Sequence, residues 1–263
     1  EIDQTKELLE KGASFNAEDK DKETPLHVAA SFGRKDVAEV LISHGASVNA
    51  EDKDKRTPLH EAALWGRKDV AELLINHGAR VNAENKDKRM PLHEAASRGY
   101  KDLVELLVNH GASVNAEDKY KRTPLHNAAS GGWKESAKFL LNHGASVNAE
   151  DEDKRTPLHE AASRGYKDLV EFLVNHGASV NAEDKDKRTP LHEAASQGEK
   201  DVVDLLINHG ARVNAEDENG LTSLHIAVEI GRKDIAQLLI DHKATVDARS
   251  KNSMTPLHVA AKF

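Results

Sequence analysis

Hydrophobic and polar positions follow one short pattern along the chain, repeated many times. In 151–183, Thr156-Pro157 precedes Leu158-His159-Glu160-Ala161-Ala162, a polar break follows at Gly165, and Leu169, Phe172 and Leu173 then recur at three- to four-residue spacing before Gly177. The first stretch predicts a short helix. Pro at the first helical position sacrifices no hydrogen bond, and the Thr hydroxyl is placed to cap free backbone N–H groups. Ala161 and Ala162 let neighbouring helices approach closely, and Gly165 supplies the positive φ that stops the helix. The second stretch predicts a helix from near Lys167-Asp168 with one apolar face, ended by Gly177. From Ala178 through Asn181 to Asp184-Lys185-Asp186-Lys187 the chain reads as an extended connection with a hairpin-like tip. Each unit is therefore helix, turn, helix, finger.

Thr24-Pro25-Leu26-His27 recurs with its Thr at 57, 123, 156, 189 and 255, and in altered form at Met90-Pro91-Leu92-His93 and Thr222-Ser223-Leu224-His225, in steps of 33 residues. Gly-Ala-x-Val-Asn-Ala keeps the same step from Gly45 through Gly210, with variants beginning at Gly12 and Lys243. Whole units run 19–51, 52–84, 85–117, 118–150, 151–183, 184–216 and 217–249, between partial units 1–18 and 250–263. One repeat domain thus spans 1–263, with no linker or second domain. A single unit exposes its apolar face. Stacking buries four or five aliphatic side chains per unit, a gross gain near ~10 kcal/mol before entropy, so stability resides between repeats.

The period and the T-P-L-H-x-A phrase resemble the ankyrin repeat, and the likeness extends along the whole chain, down to Ala29-Ala30, Gly33 and Val48-Asn49-Ala50. The resemblance implies an all-α repeat solenoid of antiparallel helix pairs with β-hairpin-like fingers. It further implies a concave face built of fingers and first helices, a role in protein interaction, and asparagines open to hydroxylation at Asn49, Asn82, Asn115, Asn148, Asn181 and Asn214. Departures from the pattern are local. Lys22, Lys55, Lys88, Lys121, Lys154 and Lys187 stand where the family has a finger-tip Gly, which only Gly220 keeps; Met90 lacks the capping hydroxyl; Ser223 replaces Pro and Lys243 replaces Gly. Units 85–117 and 151–183 differ at only four positions, which points to recent internal duplication or deliberate design.

Composition narrows the function. A formal charge of −8 argues against binding nucleic acid through general phosphate attraction. The absence of Cys removes disulfides, thiolate metal sites and a Cys nucleophile. No apolar run reaches membrane-spanning length and no signal peptide is evident, so a cytoplasmic protein is expected, with the nucleus as the alternative. The start at Glu1, within a repeat and without Met, reads as a fragment. All 15 histidines fall in two repeat slots, eight in TPLH phrases and seven near second-helix ends. Equivalent histidines on stacked helices lie roughly 8–10 Å apart, too far to share one ion, so they read as structural and no metal or cofactor is expected. Ser, His and Asp recur in every unit, whereas catalysis needs one unique convergence of groups; no catalytic residue is assigned.

Specificity must then come from what does not repeat. Phe32, Leu64, Trp65, Arg98, Gly131, Arg164, Gln197 and Ile230 vary at or near the end of the first helix, and Tyr120 varies on a finger. Unit 118–150 also carries Asn127, Trp133, Ser136 and Lys138. Arg56, Arg89, Arg122, Arg155 and Arg188 form a regular row that Glu61, Glu94, Glu160 and Glu193 can neutralise. Aromatic residues and Arg most often anchor interfaces. The candidate partner-binding set is Phe32, Trp65, Arg56, Arg89, Arg98, Tyr120, Arg122, Gly131, Trp133, Arg155 and Arg164, with Trp65, Tyr120 and Trp133 central. The expectation is a non-catalytic monomeric scaffold, curved and ~80 Å long, that binds a protein or peptide. The alternatives are a structural or designed stack without a ligand, or the targeting arm of a larger enzyme or channel.

Overall fold

The computed structural model of the protein describes residues 2–262. Among them lie sixteen helices and no strand. A lone second helix, α1 (Ile2–Glu10), comes first. The pairs α2 (Pro25–Phe32) and α3 (Lys35–Ser43), α4 (Pro58–Leu64) and α5 (Lys68–Asn76), α6 (Pro91–Arg98) and α7 (Lys101–Asn109), and α8 (Pro124–Gly131) and α9 (Lys134–Asn142) follow. Then come α10 (Pro157–Ser163) and α11 (Lys167–Asn175), α12 (Pro190–Gln197) and α13 (Lys200–Asn208), α14 (Ser223–Glu229) and α15 (Lys233–Asp241), and a lone first helix, α16 (Pro256–Ala260).

The chain divides into two compact units, Glu1–Ala128 with Glu135–Ala145 and Ala129–Lys134 with Ser146–Phe263. In the first, α2, α4 and α6 stack in sequence, each also packs on its own second helix, and α1, α3, α5 and α7 form the other layer. Leu26, Leu59 and Leu92 from one layer and Leu74 and Leu107 from the other are completely buried there, with Ala62, Ala63, Ala95 and Ala96 allowing the close approach. The second unit repeats this with α10, α12, α14 and α16 against α11, α13 and α15, around Leu158, Leu173, Leu206 and Leu239. Each such Leu contributes about 1.5–3 kcal/mol through removal from water.

Helix starts rely on the TPLH imidazole more than the sequence suggests. The backbone N–H of Thr57 donates to His60 Nδ1 at 3.0 Å, and Thr57 Oγ1 lies 3.0 Å from the same nitrogen. With Nδ1 accepting, the proton sits on Nε2, which donates to the Arg89 carbonyl of the next repeat at 3.0 Å. One side chain thus closes its own helix start, as the third-position partner in a capping box does, and ties it to the neighbouring repeat. Thr255 Oγ1 accepts from the His258 N–H at 3.4 Å, the direct cap expected of the Thr hydroxyl, and there as in the other repeats with Thr the hydroxyl also bonds to the imidazole. Met90 therefore loses only part of the motif, because its N–H still donates to His93 Nδ1 at 3.1 Å. The second histidine row closes the other helix ends, with His77 Nδ1 2.8 Å from the Leu73 carbonyl and His110 Nδ1 2.8 Å from that of Leu106.

The fingers are tight turns. Asp52 Oδ1 accepts from the N–H groups of Asp54 and Arg56, both at 2.8 Å, and Lys55 at the tip takes a left-handed φ of 60°. Lys22, Lys88, Lys121, Lys154 and Lys187 do the same between 57° and 61°, the conformation Gly220 holds at 72°. Successive fingers share a backbone bond, such as Lys53 N–H to the Asp21 carbonyl at 2.8 Å, which joins them without building a ladder. The repeated Asn spans repeats too: Asn49 donates to the Gly78 carbonyl at 3.0 Å and accepts from the Arg80 N–H at 2.8 Å.

Candidate functional site

The non-repeating side chains sit where the first helix stops, because the turn there frees the surface from packing. Phe32, the last residue of α2, is 66 % exposed, and Trp65, just past α4, is 48 % exposed. With Leu64, Glu23, Arg56 and Glu61 they line a surface cleft of about 440 Å³ in the first compact unit. Its floor is charged, with one guanidinium shared among three carboxylates. The Arg56 guanidinium lies 2.8 Å from Glu61 Oε1, 2.8 Å from Asp52 Oδ2 and 3.6 Å from Glu23 Oε1. Those three carboxylates come within 4.8 Å of one another, an oxygen set suited to a cation, and the guanidinium is the cation they hold. Burial pushes the Glu61 carboxyl above its ordinary range, and Arg56 and the Trp65 indole pull it back. Trp65 Nε1–H donates to Glu61 Oε2 at 3.3 Å, so the indole is oriented before any partner arrives.

The other candidates are distributed differently. In the first unit, Arg89 makes a two-pronged pair with Glu94 at 2.8 and 3.1 Å and lies 3.7 Å from Asp118. Arg98 is exposed at the end of α6, and Arg122 is half-buried. Tyr120 is exposed on its finger, with Lys119 Nζ 4.7 Å from the ring centre, and does not line the Phe32–Trp65 cleft. In the second unit, Gly131 and Trp133 belong together: a Cβ at Gly131 would fall 2.1 Å from the indole Nε1, so any larger residue there would displace the ring from this position. Arg155 reaches Glu160 at 3.1 Å, Glu193 at 3.4 Å and Asp184 at 3.9 Å, while Arg164 is exposed. Arg56, Arg89 and Arg155 are therefore each engaged by carboxylates of their own unit, and Phe32, Trp65, Arg98, Tyr120, Trp133 and Arg164 offer outward surface.

Sequence reasoning missed Arg67 and Ser31, which also line the cleft; Arg67 Nε–H donates to the Ser31 carbonyl at 2.9 Å across the repeat step. A second variable slot, holding Arg67, Tyr100, Trp133, Tyr166, Glu199 and Arg232, was the available signal. The buried TPLH histidines offer no free nitrogen for acid–base work where both are engaged, as in His60 and His159. Burial pushes the imidazoles of His93 and His159 down to about 4. No helix among the described residues is long and apolar enough to cross a membrane.

A family model described as ankyrin repeats in three copies matches residues 1–85, 80–151, 146–217 and 210–263. Among solved structures, the crystal structure of the human ASB11 ankyrin repeat domain is similar at a TM-score of 0.79 and 31 % identity, covering 85 % of this chain and 99 % of that one. None of the curated proteins matches the chain. The 33-residue step, the imidazole bridge from each helix start to the next repeat and the family match along the full length agree, and the chain belongs to the ankyrin-repeat family, an all-α repeat solenoid whose members generally mediate protein–protein interaction.

Proposed function

We propose that this chain is a non-catalytic interaction module that takes a protein or peptide on the face made by its fingers and first helices, with Phe32 and Trp65 as anchors in the first compact unit. The observation that carries this reading is the cleft itself. Two large aromatic side chains stay exposed beside carboxylates that already share the Arg56 guanidinium, so an incoming apolar side chain can be desolvated against the rings without breaking that pairing. Trp133 and Arg164 in the second unit, and Arg98 and Tyr120 in the first, supply further contacts of the same type.

The test is a binding measurement with a partner recovered by affinity capture, comparing the parent chain, the Phe32→Ala/Trp65→Ala double variant and Glu72→Ala, which alters an exposed second-helix residue. Loss of two anchor residues weakens binding by roughly tenfold or more, since each such contact carries about 1–2 kcal/mol. Glu72→Ala leaves affinity unchanged. Equal affinity of the double variant and the parent removes Phe32 and Trp65 from the site. The near-identity of 85–117 and 151–183 favours the rival reading of a stack without a ligand, under which no stoichiometric partner is recovered.

A further inference from the structure

Neighbouring fingers meet residue for residue. Lys53 N–H donates to the Asp21 carbonyl, Lys86 N–H to that of Asp54, Lys119 N–H to that of Asp87 and Lys185 N–H to that of Asp153, at 2.8–2.9 Å. The same register sets their side chains face to face. Lys53 Nζ lies 2.8 Å from Asp21 Oδ1, Lys185 Nζ 3.2 Å from Asp153 Oδ1 and Lys86 Nζ 3.5 Å from Asp54 Oδ1, and Lys119 pairs with Asp87 likewise. Two junctions of the second unit differ while keeping the backbone bond, at 2.8 and 2.9 Å. Asp186 meets Glu218, a like charge, and Asn219 meets Lys251, so that an ammonium faces a neutral amide. Lys251 is exposed and makes no ion pair among the described residues.

Two features of Asn219 bear on its chemistry. It is the one asparagine in the sequence followed by Gly, and its exposed side-chain amide makes no hydrogen bond among the described residues. The amide of Asn181, by contrast, donates to the Gly210 carbonyl at 3.0 Å and accepts from the Arg212 N–H at 2.8 Å. A backbone nitrogen reaches the side-chain carbonyl of the residue before it by closing a five-membered ring, and a Cβ on the attacking residue hinders that approach. Gly220 has none. Its φ of 72° lies in a region that Gly enters and leaves without steric cost, and a single bond, from its N–H to the Asp217 carbonyl at 2.9 Å, holds its nitrogen in the turn.

We propose that Asn219 is a site of spontaneous deamidation, which places a carboxylate opposite Lys251 and supplies the finger ion pair that this junction lacks. Base takes the proton of the Gly220 N–H, and the nitrogen attacks Asn219 Cγ. The bond from Cγ to the amide nitrogen breaks, and ammonia leaves with the proton returned to it. Water then opens the succinimide. Addition at Cγ gives aspartate with the main chain as before, and addition at the backbone carbonyl of residue 219 gives isoaspartate, with the chain running through Cβ and Cγ. Either product carries one more negative charge than the amide, and nothing is oxidised or reduced. Aspartate is what Asp21, Asp54, Asp87 and Asp153 already are at this place, and the bond from Lys53 holds the Asp21 carboxyl below its ordinary range. An exposed pair of this kind adds little stability, so the change is chiefly one of charge along the finger edge. It lies in the second compact unit and involves neither Phe32 nor Trp65.

Incubation of the purified chain at mildly alkaline pH and body temperature, followed by digestion and fragment mass spectrometry, reads the modification. The expected result is a mass gain equal to the difference between an amide and a carboxylic acid, located at residue 219 and accumulating many times faster than at Asn181. Its rate rises with pH. Asn219→Gln shows no gain at this place over the same period, because its side chain would have to close a larger ring. Conversion at Asn219 no faster than at Asn181 overturns the proposal. The pairing is read in Asn219→Asp, which carries the product from the start. By NMR titration its new carboxyl ionises at lower pH than in the Asn219→Asp/Lys251→Gln double variant. Both variants keep the backbone bond between residues 251 and 219, so the difference reports the ammonium alone. Identical titration in the two shows that Lys251 does not receive the carboxylate and likewise overturns the proposal.

Discussion

Lys154 sits at φ 58° in the left-handed region, where the Cβ of an L-residue crowds the carbonyl at a cost of about 1–2 kcal/mol. The finger tolerates this because Asp151 Oδ1 accepts from both the Asp153 and the Arg155 N–H at 2.9 Å, which fixes the turn whatever residue stands at its tip. Lys154→Gly removes the strain and returns part of the gain as greater freedom of the unfolded chain. The expected net stabilisation is roughly 0.5–1 kcal/mol, read as a rise in the denaturant midpoint at constant slope. Gly220 is the counter-case: a Cβ there would come within 3.0 Å of the Lys251 backbone nitrogen and 3.2 Å of Ser250 Cα. Gly220→Ala therefore lowers the midpoint. A midpoint for Lys154→Gly at or below that of the parent sinks the strain argument.

On the scale of a helix, α9 carries an avoidable cost. Ser136 is 1 % exposed in a slot where α5 has Val70, α7 has Leu103 and α11 has Leu169, and its hydroxyl finds no hydrogen-bond partner among the described residues. Ser136→Val replaces a desolvated polar group with buried methyl groups in a slot that takes them elsewhere, and stabilises by about 1–2 kcal/mol. Thermal unfolding checks it; a lower midpoint would mean that the hydroxyl has a role the packing does not reveal. Helix bounds such as Pro157–Ser163 and Lys167–Asn175 were legible in the sequence because their signals are local: Pro at the first turn, Gly165 and Gly177 past the ends, and apolar spacing between. The cleft was legible only in part. Phe32 and Trp65 stand out as non-repeating and the Arg56–Glu61 pair follows from its spacing, but the approach of Glu23 to Arg56 depends on side-chain reach across a repeat step, which no sequence spacing specifies. The bridge from each helix start to the next repeat was hidden for the same reason, since the partner of His60 Nε2 lies 29 residues away.

Across the molecule, the TPLH imidazoles are the titratable groups that recur from repeat to repeat, and they bind its stability to pH. Burial pushes His27, His60, His93, His159 and His192 below the ordinary 6.5, with His93 and His159 reaching about 4; at His93 the Arg89 guanidinium adds to the effect. The fold therefore holds the neutral imidazole, whose Nδ1 accepts and whose Nε2–H donates across the repeat step. At His93 and His159 an unfolded chain takes up a proton near 6.5 and the folded one only near 4, and the other three are shifted in the same direction, so below 6.5 the unfolded state binds more protons and stability falls as pH falls. Above 6.5 the full contribution is present. Glu61 and Asp184, raised by burial, work in the opposite sense near the carboxylate range, but the histidines that protonate earlier outnumber them. The loss from His93 and His159 is on the order of a few kcal/mol each by about pH 4, enough to matter against a total of roughly 5–15 kcal/mol. Denaturant unfolding from about pH 8 down to about pH 4 should show a plateau above 6.5 and a steady decline below it. His93→Gln, which keeps a donor and an acceptor but does not titrate, should lower stability at neutral pH and flatten the decline. A profile equally steep in that variant, or a parent midpoint unchanged through the window, would show that the imidazole bridges do not carry the pH dependence.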